Sequence, residues 1–238
     1  MNVLYSAVYD GGYPFESLAR HVETVIDPTD MLDFHSALIV WGGSDISPEF
    51  YGHKMSRRCA PYAGRRDRVE WALMQEAIDM EIPIIGVCRG AQMLCAKAGG
   101  FLIQDMNNHA GPDHFVETID GKEFKVNSLH HQMMVPYGVN HELIAWSKKN
   151  VGAPYIFRDD KLFKPAEYGY SDDNNPWREP EFIYFPEING YAIQWHPEMM
   201  ANNVEATQYI IEFIKSKEAK RTNRTWATGA PVDATENS

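Results

Sequence analysis

The sequence predicts an α/β protein with a doubly wound, mainly parallel central sheet flanked by helices. Three observations support this prediction. Short β-branched and apolar runs recur through the first half of the chain, and several are apolar on both faces, as in strands buried between helical layers. Segments with helical periodicity separate these runs, which favours right-handed parallel crossovers. The second half contains alternating runs around tight turns, which indicate an additional antiparallel hairpin region.

The individual elements follow from these patterns in chain order. The first four strands are predicted at residues 2–8, 22–27, 37–43 and 82–88. Before the fourth, Val69, Leu73, Ala77 and Met80 recur at helical spacing and predict an amphipathic helix. Asp120-Gly121 lies between two alternating runs and predicts a hairpin. Further strands are predicted at 141–147, 181–188 and 191–197, and a closing helix at 204–217.

Bulk properties restrict the function classes. The formal net charge of -11 argues against a nucleic-acid or anionic-membrane partner, since both favour basic patches. The first residues do not resemble a signal peptide, and no apolar run approaches the roughly 20 residues that span a bilayer. Only three cysteines occur, an odd and sparse count that indicates free thiols. We therefore expect a cytoplasmic protein.

Cys88 is the candidate nucleophile. The segment Gly86-Val87-Cys88-Arg89-Gly90 follows a predicted buried strand and opens a helix, and its glycines suit a sharp strand-to-helix turn. A helix N-terminus beneath the thiol would favour the thiolate and stabilise an oxyanion. The alternative is that Cys88 is a buried structural residue, as free cysteines commonly are. Cys95 is expected to face the core.

His196 is the candidate base. A thiol nucleophile needs a base, and the base needs an acceptor that orients it. His196 lies at the carboxyl end of an apolar predicted strand, which Pro197 ends. Glu198 is two residues further on, close enough for its carboxylate to contact the imidazole. A purely structural histidine remains the alternative at this point.

Together these motifs resemble a known family. Residues 86–92 (Gly-x-Cys-x-Gly-x-Gln) and 194–198 (Gln-Trp-His-Pro-Glu) are similar to class I glutamine amidotransferases, and most to their γ-glutamyl hydrolase branch, which includes γ-glutamyl-γ-aminobutyrate hydrolases. Residues 42–48, Arg66-Asp67 and residues 126–132 strengthen the resemblance. It implies a flavodoxin-like glutamine amidotransferase fold in a single domain over residues 1–216. Residues 217–238 lack apolar periodicity and predict a disordered tail.

The resemblance also implies roles. Cys88 would attack the amide carbon of a γ-glutamyl group, His196 would transfer protons, and Glu198 would orient His196. Backbone N–H groups of Gly43 and Arg89 would hold the oxyanion. The substrate-binding residues implied in the same way, for the glutamyl α-amino and α-carboxylate ends, are Gln92, Ser128, His130, His131 and Gln132.

No cofactor or metal is expected. His130 and His131 suggest a zinc site, but adjacent side chains on a strand point to opposite faces, and no cysteine or carboxylate stands at ligand spacing. Asp45 is read as a cap of a turn.

Several functions remain open. The first is a hydrolase that acts alone on a small γ-glutamyl amide, and the second is a glutaminase subunit that supplies ammonia to a separate synthetase. A related group of intracellular proteases and chaperones places histidine directly after the cysteine, where this chain has Arg89. A catalytically inactive binding module is disfavoured because all three triad positions are present.

Residues 148–180 form an insertion that the family does not require. The segment is acidic and aromatic, and it precedes the strand that carries His196. We expect it to cover the leaving-group side of the site, with a solvated loop as the alternative.

Overall fold

The computed structural model describes residues 1, 3–8, 11–25, 36–61, 64–170, 176–200 and 204–227, with the side chains of 204 and 222–227 excepted. Its main feature is a nine-stranded sheet in the order β2-β1-β3-β4-β11-β10-β9-β6-β7. The strands of this sheet are β1 (Val3–Ala7), β2 (His21–Val25), β3 (Ala37–Val40), β4 (Ile84–Val87), β6 (His114–Thr118), β7 (Glu123–Val126), β9 (Glu142–Ser147), β10 (Pro180–Phe185) and β11 (Gly190–Ile193).

The sheet has a parallel half and an antiparallel half. The strands β2, β1, β3, β4 and β11 pair in parallel, and their carboxyl ends therefore meet at one edge. From β11 onward, β10, β9, β6 and β7 pair antiparallel. The predicted parallel strands and the hairpin around Asp120-Gly121 are thus confirmed.

Helices cover both faces of the sheet. Helices α1 (Gly64–Asp79) and α2 (Arg89–Lys97) pack on one face through buried residues such as Leu73, Met74 and Leu94. Helix α3 (Val204–Ala227) packs on the opposite face through Ile210 and Ile214. This arrangement confirms the doubly wound α/β class. Within the described residues, no helix has the length and apolar character needed to cross a membrane.

Two elements differ from the sequence prediction. Strands β5 (Phe101–Ile103) and β8 (Met133–Val135) form a separate two-stranded antiparallel sheet that was not predicted. Helix α3 continues to Ala227, although residues 217–238 were predicted as a disordered tail. The rest of that predicted tail, residues 228–238, lies outside the described residues.

The insertion at 148–180 packs onto the small sheet. Its side chains Phe157, Phe163 and Trp177 are buried, and the Phe163 ring centroid lies 6.2 Å from that of Phe101 on β5. Ile156 exchanges backbone hydrogen bonds with Asp105. The described residues of this segment therefore form an aromatic extension of the core rather than a solvated loop; residues 171–175 lie outside the described residues.

Candidate active site

Cys88 occupies a strained turn between β4 and α2. Its φ is 50° and its ψ is -107°, a left-handed conformation that L residues with side chains rarely adopt. A Cβ at Gly86 would lie 2.5 Å from the Gly90 carbonyl oxygen, and one at Gly90 would overlap the Val40 carbonyl oxygen. The positions two residues before and two residues after Cys88, Gly86 and Gly90, must therefore be glycine. Strain of this kind is held by surrounding packing and is typical of functional sites.

His196 and Glu198 lie beside this turn, just beyond β11. The imidazole Nδ1 is 2.7 Å from Glu198 Oε1, and the imidazole and the Cys88 side chain both border the position that a Cβ at Gly42 would take. Because Nδ1 faces the carboxylate, Nε2 is the nitrogen available to the thiol. Burial lowers the pKa of His196, but the hydrogen bonds and charges of Cys88 and Glu198 outweigh burial and raise that pKa to about 10. Cys88 and Glu198 together favour the imidazolium form of His196.

Asn127 fixes the backbone of His196. Its Nδ2 donates to the His196 carbonyl oxygen at 2.9 Å, and the His196 N–H donates to its Oδ1 at 2.8 Å. The sequence analysis gave Asn127 no role. The only available signal was its position next to Ser128 in the 126–132 segment, because its partner lies far along the chain.

Arg66 holds the loop that follows β3. Its guanidinium donates to the carbonyl oxygens of Trp41 at 3.1 Å and Gly42 at 2.9 Å, while its Nε donates to Glu70 at 2.8 Å. A Cβ at Gly42 would lie 2.7 Å from His196 Cε1, so this loop touches the imidazole directly. Arg66 therefore sets the position of the loop that borders the base.

The side chain of Arg89 points away from the thiol into the protein. It is buried and forms ion pairs with Asp67 and Glu70 of α1, and Asp67 also accepts the N–H of Ser47. Glu70 is shared with Arg66, so one charge network joins the residue after the nucleophile to the loop after β3. The backbone of Arg89 begins α2, and N–H groups of a first helical turn lack intrahelical acceptors.

A cavity of about 690 Å³ opens over Cys88. It is lined by Gly11, Tyr13, Trp41, Gly42, Gly43, Cys88, Leu129, His196, Glu198 and Met199. Around its mouth, Tyr13, Leu129 and Met199 are 49%, 50% and 61% exposed. No sequence signal identified this apolar rim, because its members come from separate loops.

The lining of this cavity contains none of the described residues of the 148–180 insertion. Our expectation that this segment covers the leaving-group side is therefore corrected, because its aromatic side chains pack against β5 instead.

Three of the residues expected to bind the glutamyl ends form hydrogen bonds inside the protein instead. Gln92 is buried and its amide donates to the Gln132 carbonyl oxygen at 3.2 Å, while the Gln132 amide donates to the Gln104 carbonyl oxygen. Ser128 Oγ donates to the His109 carbonyl oxygen at 2.7 Å. The side chains of these three residues donate to backbone carbonyl oxygens, and none of them lines the cavity.

The adjacent histidines point to different surroundings. His131 lies between Asp45, at 2.9 Å, and Asp105, at 3.0 Å. The hydrogen bond to Asp45 raises the pKa of His131, burial opposes it, and Asp105 adds to it, giving a pKa of about 9. His130 instead faces a buried cluster around Glu181. Neither histidine lines the cavity over Cys88.

The other two thiols are poor nucleophiles. Cys59 and Cys95 are both buried and free of disulfides. Burial raises the pKa of each thiol to about 12, and Asp45 adds to the effect at Cys59. Both therefore remain protonated at neutral pH.

A sheet of this order, with a cysteine at the turn after its central parallel strand, has the fold of class I glutamine amidotransferases. The chain aligns with PurLQS from Thermotoga maritima (TM-score 0.59, 14% identity, 91% of this chain and 99% of that one). It aligns similarly with the glutaminase domain of CTPS from Trypanosoma brucei with bound acivicin (TM-score 0.53, 12% identity, 92% of this chain and 94% of that one).

Sequence comparison identifies the family. The family model Peptidase C26 matches residues 11–152, and the chain belongs to this class I glutamine amidotransferase-like family. Among its relatives, the glutamine amidotransferase-like protein YvdE of Lactococcus lactis is 31% identical over 181 residues, which cover 68% of this chain. The match spans 65% of the length of YvdE.

Proposed function

We propose that the chain hydrolyses the γ-glutamyl amide bond of glutamine or of a γ-glutamyl amide through a cysteinyl thioester. The observation that carries this proposal is that Cys88 and the hydrogen-bonded pair of His196 and Glu198 line one cavity at the carboxyl edge of the parallel strands. A nucleophile, a base and an orienting acid in contact are the arrangement that covalent acyl transfer requires. Membership of the Peptidase C26 family supports the same chemistry.

Each group has a defined task in the proposed mechanism. Cys88 Sγ attacks the amide carbon, and the negative charge that develops on the carbonyl oxygen is held by the backbone N–H groups of Gly43 and Arg89. His196 takes the proton of the Cys88 thiol and gives it to the leaving amine as the C–N bond breaks. Water then loses a proton to His196 and attacks the thioester, which releases glutamate and restores the thiol. Glu198 holds the imidazole in position and stabilises its charged form.

The cavity supports an apolar leaving group. Tyr13, Trp41, Leu129 and Met199 line it with apolar surface, and Glu198 and His196 are the ionisable side chains in its lining besides Cys88 and Tyr13. Apart from the His196 imidazolium, which serves the reaction, an acidic amine portion would meet no cation among the described residues of this lining. We therefore propose that a γ-glutamyl amide of an apolar amine is a better substrate than one of an amino acid.

A substrate panel tests the proposal. Glutamine, γ-glutamyl alkylamides and γ-glutamyl amino acids are compared by kcat/KM, with glutamate, ammonia and amine release measured together. The matched control is Cys88→Ala, which should lose turnover while its circular dichroism is unchanged. Turnover retained in Cys88→Ala, or no γ-glutamyl amide hydrolysed by the wild type, would refute the mechanism.

The exposed rim also favours a second candidate, a glutaminase that supplies ammonia to a synthetase docked over the cavity mouth. Tyr13, Leu129 and Met199 are each about half exposed or more, and exposed apolar residues around a site can mark a contact surface. In that case the isolated chain would hydrolyse glutamine slowly, and larger amides would not be substrates. Efficient hydrolysis of larger amides by the isolated chain decides against it.

A further inference from the structure

A buried cluster of three histidines and one glutamate lies outside the catalytic site. Possible ligand atoms of His109, His114 at the start of β6 and Glu181 on β10 all lie within 4.8 Å of one another, and His130, between β7 and β8, also faces Glu181. Glu181 Oε1 is 2.9 Å from His114 Nε2, 3.6 Å from His109 Nδ1 and 3.7 Å from His130 Nε2. One carboxylate oxygen is therefore surrounded by three imidazole nitrogens.

We propose that this cluster is a structural zinc site with His109, His114, His130 and Glu181 as ligands. Zinc is held tetrahedrally at about 2.0–2.2 Å by imidazole and carboxylate ligands, so donor atoms in such a site lie about 3.3 Å apart. The three nitrogen-to-oxygen distances fall on both sides of this value. Three imidazoles with one carboxylate are a donor set that zinc favours over magnesium or calcium.

The hydrogen bonds of His130 direct its free nitrogen to the centre of the cluster. Its Nδ1 lies 2.9 Å from the Gln132 carbonyl oxygen, which only accepts, so Nδ1 carries the proton. Its Nε2 is buried, has no hydrogen-bond partner and faces Glu181. A neutral imidazole would therefore aim a lone pair at a carboxylate oxygen, and a cation between them resolves this contact.

His109 is oriented in the same way by a second carboxylate. Its Nε2 lies 2.9 Å from Glu179 Oε2, and Glu179 also accepts hydrogen bonds from Val151, Gly152 and Tyr155. This carboxylate is thus an acceptor, and His109 Nε2 is the donor. Ser128 Oγ lies 3.3 Å from His109 Nδ1 and 2.7 Å from the His109 carbonyl oxygen, to which it donates, so His109 Nδ1 is an acceptor, 3.6 Å from Glu181 Oε1. A zinc-binding histidine commonly donates its other ring N–H to a carboxylate, which orients the ring.

Glu181 is placed in the cluster by an irregularity of the sheet. The register between β10 and β9 shifts between Pro180 and Phe182, and Glu181 is the extra residue. Such a bulge re-aims a side chain. Glu181 is fully buried, and its Oε2 has no hydrogen-bond partner, which is costly for a carboxylate unless a cation balances it.

His109, His130 and Glu181 are buried and only 13% of the His114 side chain is exposed, so the zinc would be structural. It would join β6 and β10 to the segment 127–132, where Asn127 holds the backbone of His196 and Leu129 lines the cavity. The sequence analysis argued against a metal because no carboxylate stands at ligand spacing. Glu181 comes from a strand far along the chain, and only the fold brings it to His130.

Metal binding by the purified full chain tests this inference independently of the catalytic proposal. The protein is freed of metal by a chelator, and zinc is returned in competition with a chromophoric chelator. We expect one zinc per chain and a higher Tm with zinc. Cobalt(II) should give the visible bands of a four-coordinate site without a thiolate charge-transfer band, since no cysteine is a ligand. Failure to bind one equivalent, or a thiolate band, would overturn the proposal.

Variants locate the site. Glu181→Gln and His130→Gln should each weaken zinc binding by more than about 100-fold, because changing outer partners of zinc ligands alone costs about 10–100-fold. His21→Gln, which removes an exposed imidazole paired with Glu23, is the matched control and should bind zinc as the wild type does. Unchanged affinity in a folded Glu181→Gln or His130→Gln protein would overturn the assignment. If both variants fail to fold, the wild-type cobalt spectrum still decides.

Discussion

Asn127 hydrogen-bonds both backbone polar groups of His196, although it comes from the strand-end of a different part of the sheet. The proposed base is thus held from two directions, by Glu198 at its ring and by Asn127 at its main chain. The backbone contacts position the imidazole without touching the substrate, and this makes Asn127 a positioning residue.

We predict that Asn127→Ala lowers kcat by about tenfold or more with little change in KM. Two hydrogen bonds of about 1 kcal/mol each are lost, and the misplaced base affects the transition state rather than substrate binding. Asn140→Ala is the control, because Asn140 is an exposed residue whose amide donates to Glu187 Oε1 at 3.4 Å. An unchanged kcat in folded Asn127→Ala would argue against a positioning role.

Selective alkylation is expected at Cys88. The thiols of Cys59 and Cys95 have a pKa raised to about 12 by burial, so neither is a thiolate at pH 7–8. Iodoacetamide, or a diazo-ketone analogue of glutamine, should therefore add one label, which mass spectrometry places on Cys88. Cys88→Ala should take no label and have no activity. Labelling of Cys59 or Cys95 in the folded protein would contradict the proposed mechanism.

Glu198→Gln should be less damaging than His196→Ala. The acid orients the imidazole without exchanging protons, and in other triads its loss costs on the order of 100-fold less than loss of the nucleophile or base. The two variants are compared by kcat, with circular dichroism to show that both are folded. Equal losses would assign Glu198 a different task.

The hydrogen bond between His196 and Glu198 also affects the pKa of His196. Its pKa of about 10 depends on the hydrogen bonds and negative charges of Cys88 and Glu198, which outweigh the effect of burial. NMR of the imidazole should find His196 protonated at pH 8 in the wild type, and its pKa should fall in Glu198→Gln. Titration near pH 6.5 in the wild type would contradict the ion-pair interpretation.

His53 should make the fold sensitive to acid. Burial, and to a smaller extent Arg158, lower the pKa of His53 to about 4, and its ring packs 4.7 Å from that of Phe157. The unfolded chain binds this proton near pH 6.5, so the free energy of unfolding should fall as pH drops from about 6.5 to 4. Urea titrations should find a smaller fall in His53→Phe. An identical fall in both proteins would contradict the prediction.

The insertion should affect stability rather than substrate choice. Phe163 is buried among Phe157, Tyr168 and Trp177, and Phe163→Ala should cost about 3–5 kcal/mol in the free energy of unfolding. The ratio of kcat/KM for glutamine and larger amides should stay constant at a temperature where the variant is folded. Phe115→Ala, at a 52% exposed position, is the control. A selective loss on larger amides would restore the lid interpretation.

The sequence was informative where periodicity dictates structure. The strands of the parallel half were predicted because buried strands read as continuous apolar runs, and Gly86 and Gly90 marked the turn at Cys88. Strands β5 and β8 have three residues each, too few for a pattern. The sequence analysis treated His130 and His131 as neighbours on a strand, whereas the structure has them in the segment between β7 and β8. What each faces, Glu181 or Asp45, depends on contacts between distant segments that no local pattern encodes.

One charge network restricts which substitutions this site can accept; its members are Arg66, Asp67, Glu70 and Arg89. Glu70 contacts both arginines, so the loop before Gly43 and the first residue of α2 share one carboxylate. Removing a single member leaves a buried charge uncompensated, whereas replacing several together by apolar residues can be neutral. Variation at these four positions should therefore be inherited as a block, and directed evolution that changes them one at a time should stall.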